Sequence, residues 1–190
     1  IVKRLDPQVE AFRTRALGEY PYVFLDARYE NVREDNEVHK VAVLVALGVR
    51  RDGMREVLGV SVARVENEAF WDDFLVSLVD RGLTGVKLAI SDAHQGLRKA
   101  IKKRLVAAKW QRCRVHFMRN LASRVGRRHQ PACLALAKTI FAQETHAAAI
   151  AQREMVAKAL RQAKQHAAAD FLESTDDMLN YMLFPAEHWT

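Results

Sequence analysis

The sequence predicts an α/β fold: a mixed sheet built as three antiparallel strands, helix, strand, helix and strand, followed by an all-helical segment. Three observations carry this expectation. Three runs rich in β-branched and aromatic residues follow one another near the start, separated only by short turns. The apolar spacing then switches from a period of two to a helical period, with two more short strands between helices. After Pro131 the strand signal vanishes and alanine dominates. At 190 residues, 49% hydrophobic and 28% charged, the chain has the makeup of a folded globular protein rather than a disordered one.

Residues 1–19 read as a helical lead-in that breaks at Gly18 and Pro21. "YPYVFLDARYENV" is the first strand, ending in polar turn residues at 33–36. "HKVAVLVALGVRRDG" is the second, strongly apolar and closed by a turn at Asp52 and Gly53. "REVLGVSVARVE" is the third, with Val57, Gly59, Ser61 and Ala63 alternating against Leu58, Val60 and Val62. Short turns make these three an antiparallel meander. A helix follows, with Asn67 as its N-cap, Glu68, Asp72 and Asp73 near its positive end, and Gly82 as its stop. Phe70, Phe74 and Leu78, with Trp71, Leu75 and Val79, form its apolar stripe. "GVKLAIS" alternates too little to be half-exposed, so this fourth strand is expected to be buried on both faces.

The next helix turns Leu97, Ile101 and Leu105 inward and Arg98, Lys99, Lys102 and Lys103 outward. "WQRCRVHF" is a short fifth strand running into a helix that carries Phe117, Leu121 and Val125. From "ACLALAKTIF" to "DMLNYMLF" everything reads as helix. The expected organisation is therefore a lead-in at 1–19, a core at 20–130 and a helical insertion at 131–190, with the core resuming beyond it. This order of elements is the layout of a ribonuclease-H-like core. Ligands of α/β sheets sit beyond the strand ends, which draws attention to Asp92, directly after the fourth strand.

Charge is unevenly placed. The net charge is +7, yet residues 93–143 contain thirteen Lys and Arg and no Asp or Glu. Such a segment repels itself unless a polyanion is near, and nucleic acid is the natural partner. No apolar run reaches the roughly 18–20 residues that span a bilayer. Two cysteines, Cys113 and Cys133, without an export signal point to reduced thiols and a cytoplasmic, nucleoid-associated protein. Spacing alone leaves Asp92 with two readings. With Gln95 three residues on it resembles a capping box, and after an apolar strand it also resembles a metal ligand. A charge such as Asp26 within an aromatic strand is costly unless it is paired or bound to a metal.

The blocks "YPYVFLDARY", "KVAVLVALGVRRDGMREVLGV", "FWDDFLVSLVDRGLTGVKLAISDAHQGLRKAI", "WQRCRVHFMRNL" and "FPAEHW" resemble the catalytic core of Mutator-type transposases of bacterial insertion sequences. The likeness runs from about Leu5 to Thr190. It implies DNA cleavage and strand transfer at the ends of a mobile element by a ribonuclease-H-like domain whose two Asp and one Glu bind two Mg²⁺ or Mn²⁺ ions. Asp26 matches the first acid and Asp92 the second. The third acid is expected after "FPAEHW", beyond this chain, and Glu187, Glu173, Asp176 and Asp177 do not match it.

Cys113 and His116 match a Cys-x-x-His motif near the family's site. Two ligands fall short of the four that structural zinc takes, which favours packing or DNA orientation over zinc. The basic residues expected at double-stranded DNA are Arg98, Lys99, Lys102, Lys103, Arg112, Arg114 and Arg119. Pairing of two element ends implies a homo-oligomer. Two rival readings remain open: an inactive DNA-binding remnant lacking the third acid, and another ribonuclease-H-like nuclease.

Overall fold

The computed structural model describes residues 2–34 and 36–189, and its order of elements is the α/β order expected. Helix α1 (Val2–Thr14) precedes strands β1 (Tyr22–Glu34), β2 (Glu37–Val49) and β3 (Arg55–Ala63). Helix α2 (Glu68–Asp80), strand β4 (Leu88–Ser91), helix α3 (Gln95–Arg104) and strand β5 (Lys109–Arg112) follow. The rest is helical: α4 (Arg114–Ala122), α5 (Gln130–Phe141), α6 (His146–Gln162) and α7 (His166–Glu173), with short 3-10 turns between and after them. The lead-in helix stops at Thr14 rather than near residue 19. The stretch after it instead makes a single parallel bridge, Glu19 to Thr84.

The strands form one sheet in the order β3-β2-β1-β4-β5. β1 and β2 pair antiparallel along their whole length, from Tyr22 opposite Val49 to Glu34 opposite Glu37. β2 pairs antiparallel with β3 from Ala42 opposite Ala63 to Val49 opposite Arg55, with one irregularity at Ala46/Leu47. β4 joins the other side of β1 in parallel, from Tyr22 beside Leu88 to Leu25 beside Ser91. Because β4 lies inside the sheet, all four of its residues are buried, as its unbroken apolar run requires. β1 and β2 outrun their other neighbours, so residues 30–34 and 37–41 continue as a two-stranded ribbon.

The chain forms two compact units, residues 1–110 and 111–190, each with its own core. Their boundary lies well before the change of composition at Pro131. In the first unit, alternation along β1 and β2 sends Val23, Leu25, Ala42, Leu44 and Ala46 to one face, where they meet Trp71, Phe74, Leu75 and Leu78 of α2 and Leu97, Ala100 and Ile101 of α3. Each large apolar side chain buried there contributes about 1.5–3 kcal/mol. In the second unit Phe117 stacks on Phe171 with ring centroids 5.3 Å apart and meets Phe141 edge-on at 5.9 Å. Arg124 lies over the Phe171 ring at 3.9 Å.

Helix α2 starts at Asn67, whose side chain accepts the Phe70 N–H at 3.0 Å, so the sequence cap is the structural cap. Its outer face also holds α3. Asp72 accepts from Arg104 Nε at 2.6 Å and Nη2 at 2.7 Å, and from Lys103 Nζ at 2.8 Å. Hydrogen bonds from Arg104 and then Lys103 hold the Asp72 carboxyl well below the usual carboxylate range. A depressed carboxyl pKa contributes stability that is present above the unfolded value of about 3.9 and is lost as pH falls from there toward the folded value. Urea midpoints should therefore separate wild type from Asp72→Asn at pH 7, with wild type the more stable, and the gap should close as pH drops from about 4 toward 2.5. A gap independent of pH would show that the ion pairs do not hold α2 to α3.

Candidate active site

Parallel pairing of β1 with β4 sets the site. The last paired residues are Leu25 and Ser91, and Asp26 and Asp92 each follow by one position. Two acids distant in sequence thus stand where the parallel pairing of β1 with β4 ends, Asp26 within β1 and Asp92 just past the carboxyl end of β4, where ligands of α/β sheets collect. Asp26 is exposed, as is Phe24 two residues before it, while Val23 and Leu25 are buried. The cost of burying a charge is therefore not what singles Asp26 out; its place in the register is. Among the described residues Asp26 has no hydrogen-bond or ion-pair partner.

Asp92 is half-buried, and its Oδ1 accepts the His94 backbone N–H at 3.0 Å. That bond is a turn two residues long, and it overturns the capping-box reading. The N-cap of α3 is His94, whose Nδ1 accepts the Leu97 N–H at 3.3 Å. The Asp92 side chain is spent on the turn before the helix, and its Oδ2 has no partner among the described residues. Ser91 is buried beneath it, receiving the Trp110 Nε1–H on its Oγ at 2.8 Å and donating to the Asp92 carbonyl at 2.8 Å.

Both acids offer hard carboxylate oxygens with free lone pairs, a donor set that suits Mg²⁺ or Mn²⁺ and not a thiol-seeking metal. Among the described residues no group of three or more His, Cys, Asp or Glu stands close enough to hold a metal ion. The two acids thus stand as a pair.

Residues that sequence reasoning passed over stand behind Asp92. Glu66, in the segment leading into α2, has a side chain only 8% exposed. It accepts the Trp71 Nε1–H at 3.0 Å and the Tyr29 hydroxyl at 2.9 Å, and it lies 3.5 Å from His94 Nδ1. The Tyr29 phenol is pushed above its ordinary value, first by the bond to Glu66, then by burial and by the charges of Glu66 and Asp92. Trp71 was legible as core, but nothing local marks Glu66, because its partners come from β1, α2 and the turn before α3.

The basic residues are more engaged than their spacing implied. Lys99 pairs with Glu68 at 3.1 Å and Lys103 with Asp72, so acids of α2 answer the basic face of α3. Arg98 lies over the Trp110 ring at 4.0 Å. In the second unit Arg112 pairs with Asp177 at 3.2 Å, and Arg114 lies over the Phe141 ring at 4.3 Å. Lys102 and Arg119 are exposed. Cys113 is the residue before α4 and His116 lies in its first turn, with the imidazole Nδ1 buried and unpaired. Both belong to the second unit, whereas Asp26 and Asp92 belong to the first.

The fold and the two acids define an α/β protein with a carboxylate pair at the sheet's carboxyl edge. The family described as "Transposase, Mutator family" matches residues 1–190, and the chain belongs to it. It is 42% identical, over its whole length and 46% of the relative, to the transposase for insertion sequence element IS1081 of Mycobacterium tuberculosis. It is 49% identical, over 70% of itself and 34% of the relative, to the transposase for ISRM5 of Rhizobium meliloti. It is 38% identical, over 74% of itself and 37% of the relative, to the transposase for IS256 in transposon Tn4001 of Staphylococcus aureus. The chain thus spans less than half the length of these relatives. Among solved structures, a chain of the simian T-cell lymphotropic virus intasome in complex with PP2A regulatory subunit B56 gamma matches 73% of this chain and 48% of its own length, at 13% identity and a TM-score of 0.34. No described helix is long and apolar enough to cross a membrane.

Packing at the Asp92 turn gives a sharp test. A Cβ on Gly96 would sit 2.7 Å from the Glu68 backbone nitrogen and 3.0 Å from its Cα, so α3 begins in backbone contact with residues 67–68. Alanine favours a helix over glycine by roughly 1 kcal/mol. The clash should nevertheless win, with Gly96→Ala lowering unfolding free energy by about 1–3 kcal/mol in urea titrations. A stabilised Gly96→Ala would mean that this contact is loose.

Proposed function

We propose that this chain carries two of the metal-binding acids of a DNA transposase, Asp26 and Asp92, and takes part in cleaving and joining DNA at the ends of a mobile element. Family membership supports the class, and one observation supports the site: Asp26 and Asp92 stand one residue past the last pair of adjacent parallel strands. Divalent cations bound there would activate the attacking water or 3′-hydroxyl and stabilise the leaving oxygen. The residues of this chain do the rest. The Asp92 carboxylate is oriented by the His94 N–H, leaving one oxygen outward. Asp26 projects from a strand fixed on both sides by β2 and β4.

The third acid that the family resemblance implies is matched by none of Glu173, Asp176, Asp177 and Glu187. Lys102 and Arg119, with the ion-paired Lys99, Lys103 and Arg112 and the ring-stacked Arg98 and Arg114, are the proposed phosphate contacts. Such contacts position DNA without reading its sequence. Bringing two element ends together makes a homo-oligomer on DNA the expected working state.

The alternative reading is a DNA-binding protein without cutting activity. A single assay separates the two. With Mn²⁺ and duplex DNA bearing the element's terminal repeats, this chain within a transposase that also supplies the third acid should nick the repeat and join its 3′ end to target DNA. Asp92→Ala and Asp26→Ala should bring both steps below detection while gel-shift affinity stays within a few-fold of wild type. Binding without nicking by the wild type would favour the remnant, and nicking without joining would favour a hydrolytic nuclease.

A further inference from the structure

We propose that the turn between α4 and α5, with Arg124, Arg127 and Arg128, is a clamp on the phosphate backbone of duplex DNA, carried by the second unit and indifferent to sequence. This rests on the reading of the chain as part of a protein that acts on DNA.

Charge balance within the second unit points to a polyanion at this turn. Residues 111–190 hold eleven Lys and Arg against seven Asp and Glu, and most of those acids are engaged elsewhere. Asp177 pairs with Arg112, Asp176 with Arg153, and Asp170 and Glu173 with Arg161. Arg124, Arg127 and Arg128 are all exposed, and among the described residues none of them has an ion-pair partner. No acid lies between Asp92 and Glu144 in the sequence, and the first turn of α5, entered directly from this turn, has none to offset the charge. Like charges this close repel one another in the free protein, and a row of phosphates removes that cost.

The turn is also built to hold its shape. Val125 is buried in the core of the second unit. Gln130 Nε2 donates to the Ala122 carbonyl at 3.1 Å, and the His129 N–H donates to the Gly126 carbonyl at 2.8 Å. Arg124 lies over the Phe171 ring at 3.9 Å and donates from Nη1 to the Asn120 carbonyl at 2.8 Å, while Phe171 itself stacks on the buried Phe117. A guanidinium carries five N–H donors, so Arg124 is fixed in place with donors left for a phosphate. Arg127 and Arg128 stand between these anchors, on the 3-10 turn Arg127–His129. Groups held in position before contact lose less conformational freedom when they bind. Guanidinium groups match phosphate oxygens in pairs, and contacts of this kind position a duplex without reading its bases.

The test uses the whole chain and two fluorescent duplexes, one carrying the element's terminal repeat and one of unrelated sequence. Binding is followed by anisotropy in EDTA between about 50 and 200 mM KCl, where phosphate contacts dominate the salt dependence. Each phosphate contact contributes roughly 0.9 to the slope of log affinity against log salt. Arg127→Gln/Arg128→Gln should therefore flatten the slope by about 1.8 and weaken binding equally on both duplexes. Arg127→Lys/Arg128→Lys keeps both charges and should keep the slope. Lys158→Gln/Lys164→Gln removes the same charge from exposed positions on and just after α6, and should move the slope by less than about 0.5. If the glutamine pair melts early, Arg127→Gln and Arg128→Gln are read singly, each with an expected change of about 0.9.

An unchanged slope in the Arg127 and Arg128 variants, or an equal loss in Lys158→Gln/Lys164→Gln, would overturn the clamp and leave the chain a DNA-binding protein. Weakening confined to the terminal-repeat duplex would overturn it in favour of base reading. A wild-type chain that binds neither duplex would overturn the clamp together with the reading it rests on.

Discussion

The parallel pairing of β1 with β4 is the constraint on which the rest of the molecule depends. It covers only four residue pairs, yet it joins a three-stranded meander to a helix–strand–helix segment that begins at Glu68, well after β1 ends at Glu34. Without it β4 would have no partner on that side, its four buried residues would lose their cover, and Asp26 and Asp92 would not stand at matching positions. Parallel strands need a crossover, and here α2 supplies it, burying Trp71, Phe74, Leu75 and Leu78 against the sheet. The chemistry of the sheet edge is thus set by the packing of one helix. That same helix holds the basic helix α3 through Asp72, and its Trp71 indole donates to Glu66.

Much of this was legible from the chain itself. Alternation in "REVLGVSVARVE" and the unbroken run in "GVKLAIS" distinguish a half-covered strand from a buried one, since each depends only on which faces are wetted. Asn67 could be read as a cap because capping is a local bond across three residues. Family resemblance singles out Asp26 and Asp92 in the sequence, and the register places them at corresponding positions of neighbouring strands.

What was not legible depended on contacts distant in sequence or on near-degenerate local choices. Asp92 and His94 both stand where a cap could form, and the choice fell to His94 because Asp92 bonds the turn before the helix. The basic run looked unopposed because its answering acids, Glu68 and Asp72, lie about thirty residues earlier on the facing helix. Glu66 carried no signal, since each of its partners comes from a different element. The change in composition at Pro131 marks where alanine begins, whereas the second compact unit begins at residue 111 because Phe117 and Leu121 pack with α5 and α7.

The central claim is that Asp26 and Asp92 serve one cation site rather than two independent surface acids. The most direct measurement is the effect of Asp26→Asn on Mn²⁺-induced broadening at the amides of residues 92–94. A shared site predicts that removing the β1 acid weakens Mn²⁺ at the β4 acid by about tenfold or more. Broadening at residues 92–94 that is unchanged by Asp26→Asn would contradict it, leaving two exposed carboxylates that share a sheet edge and nothing else.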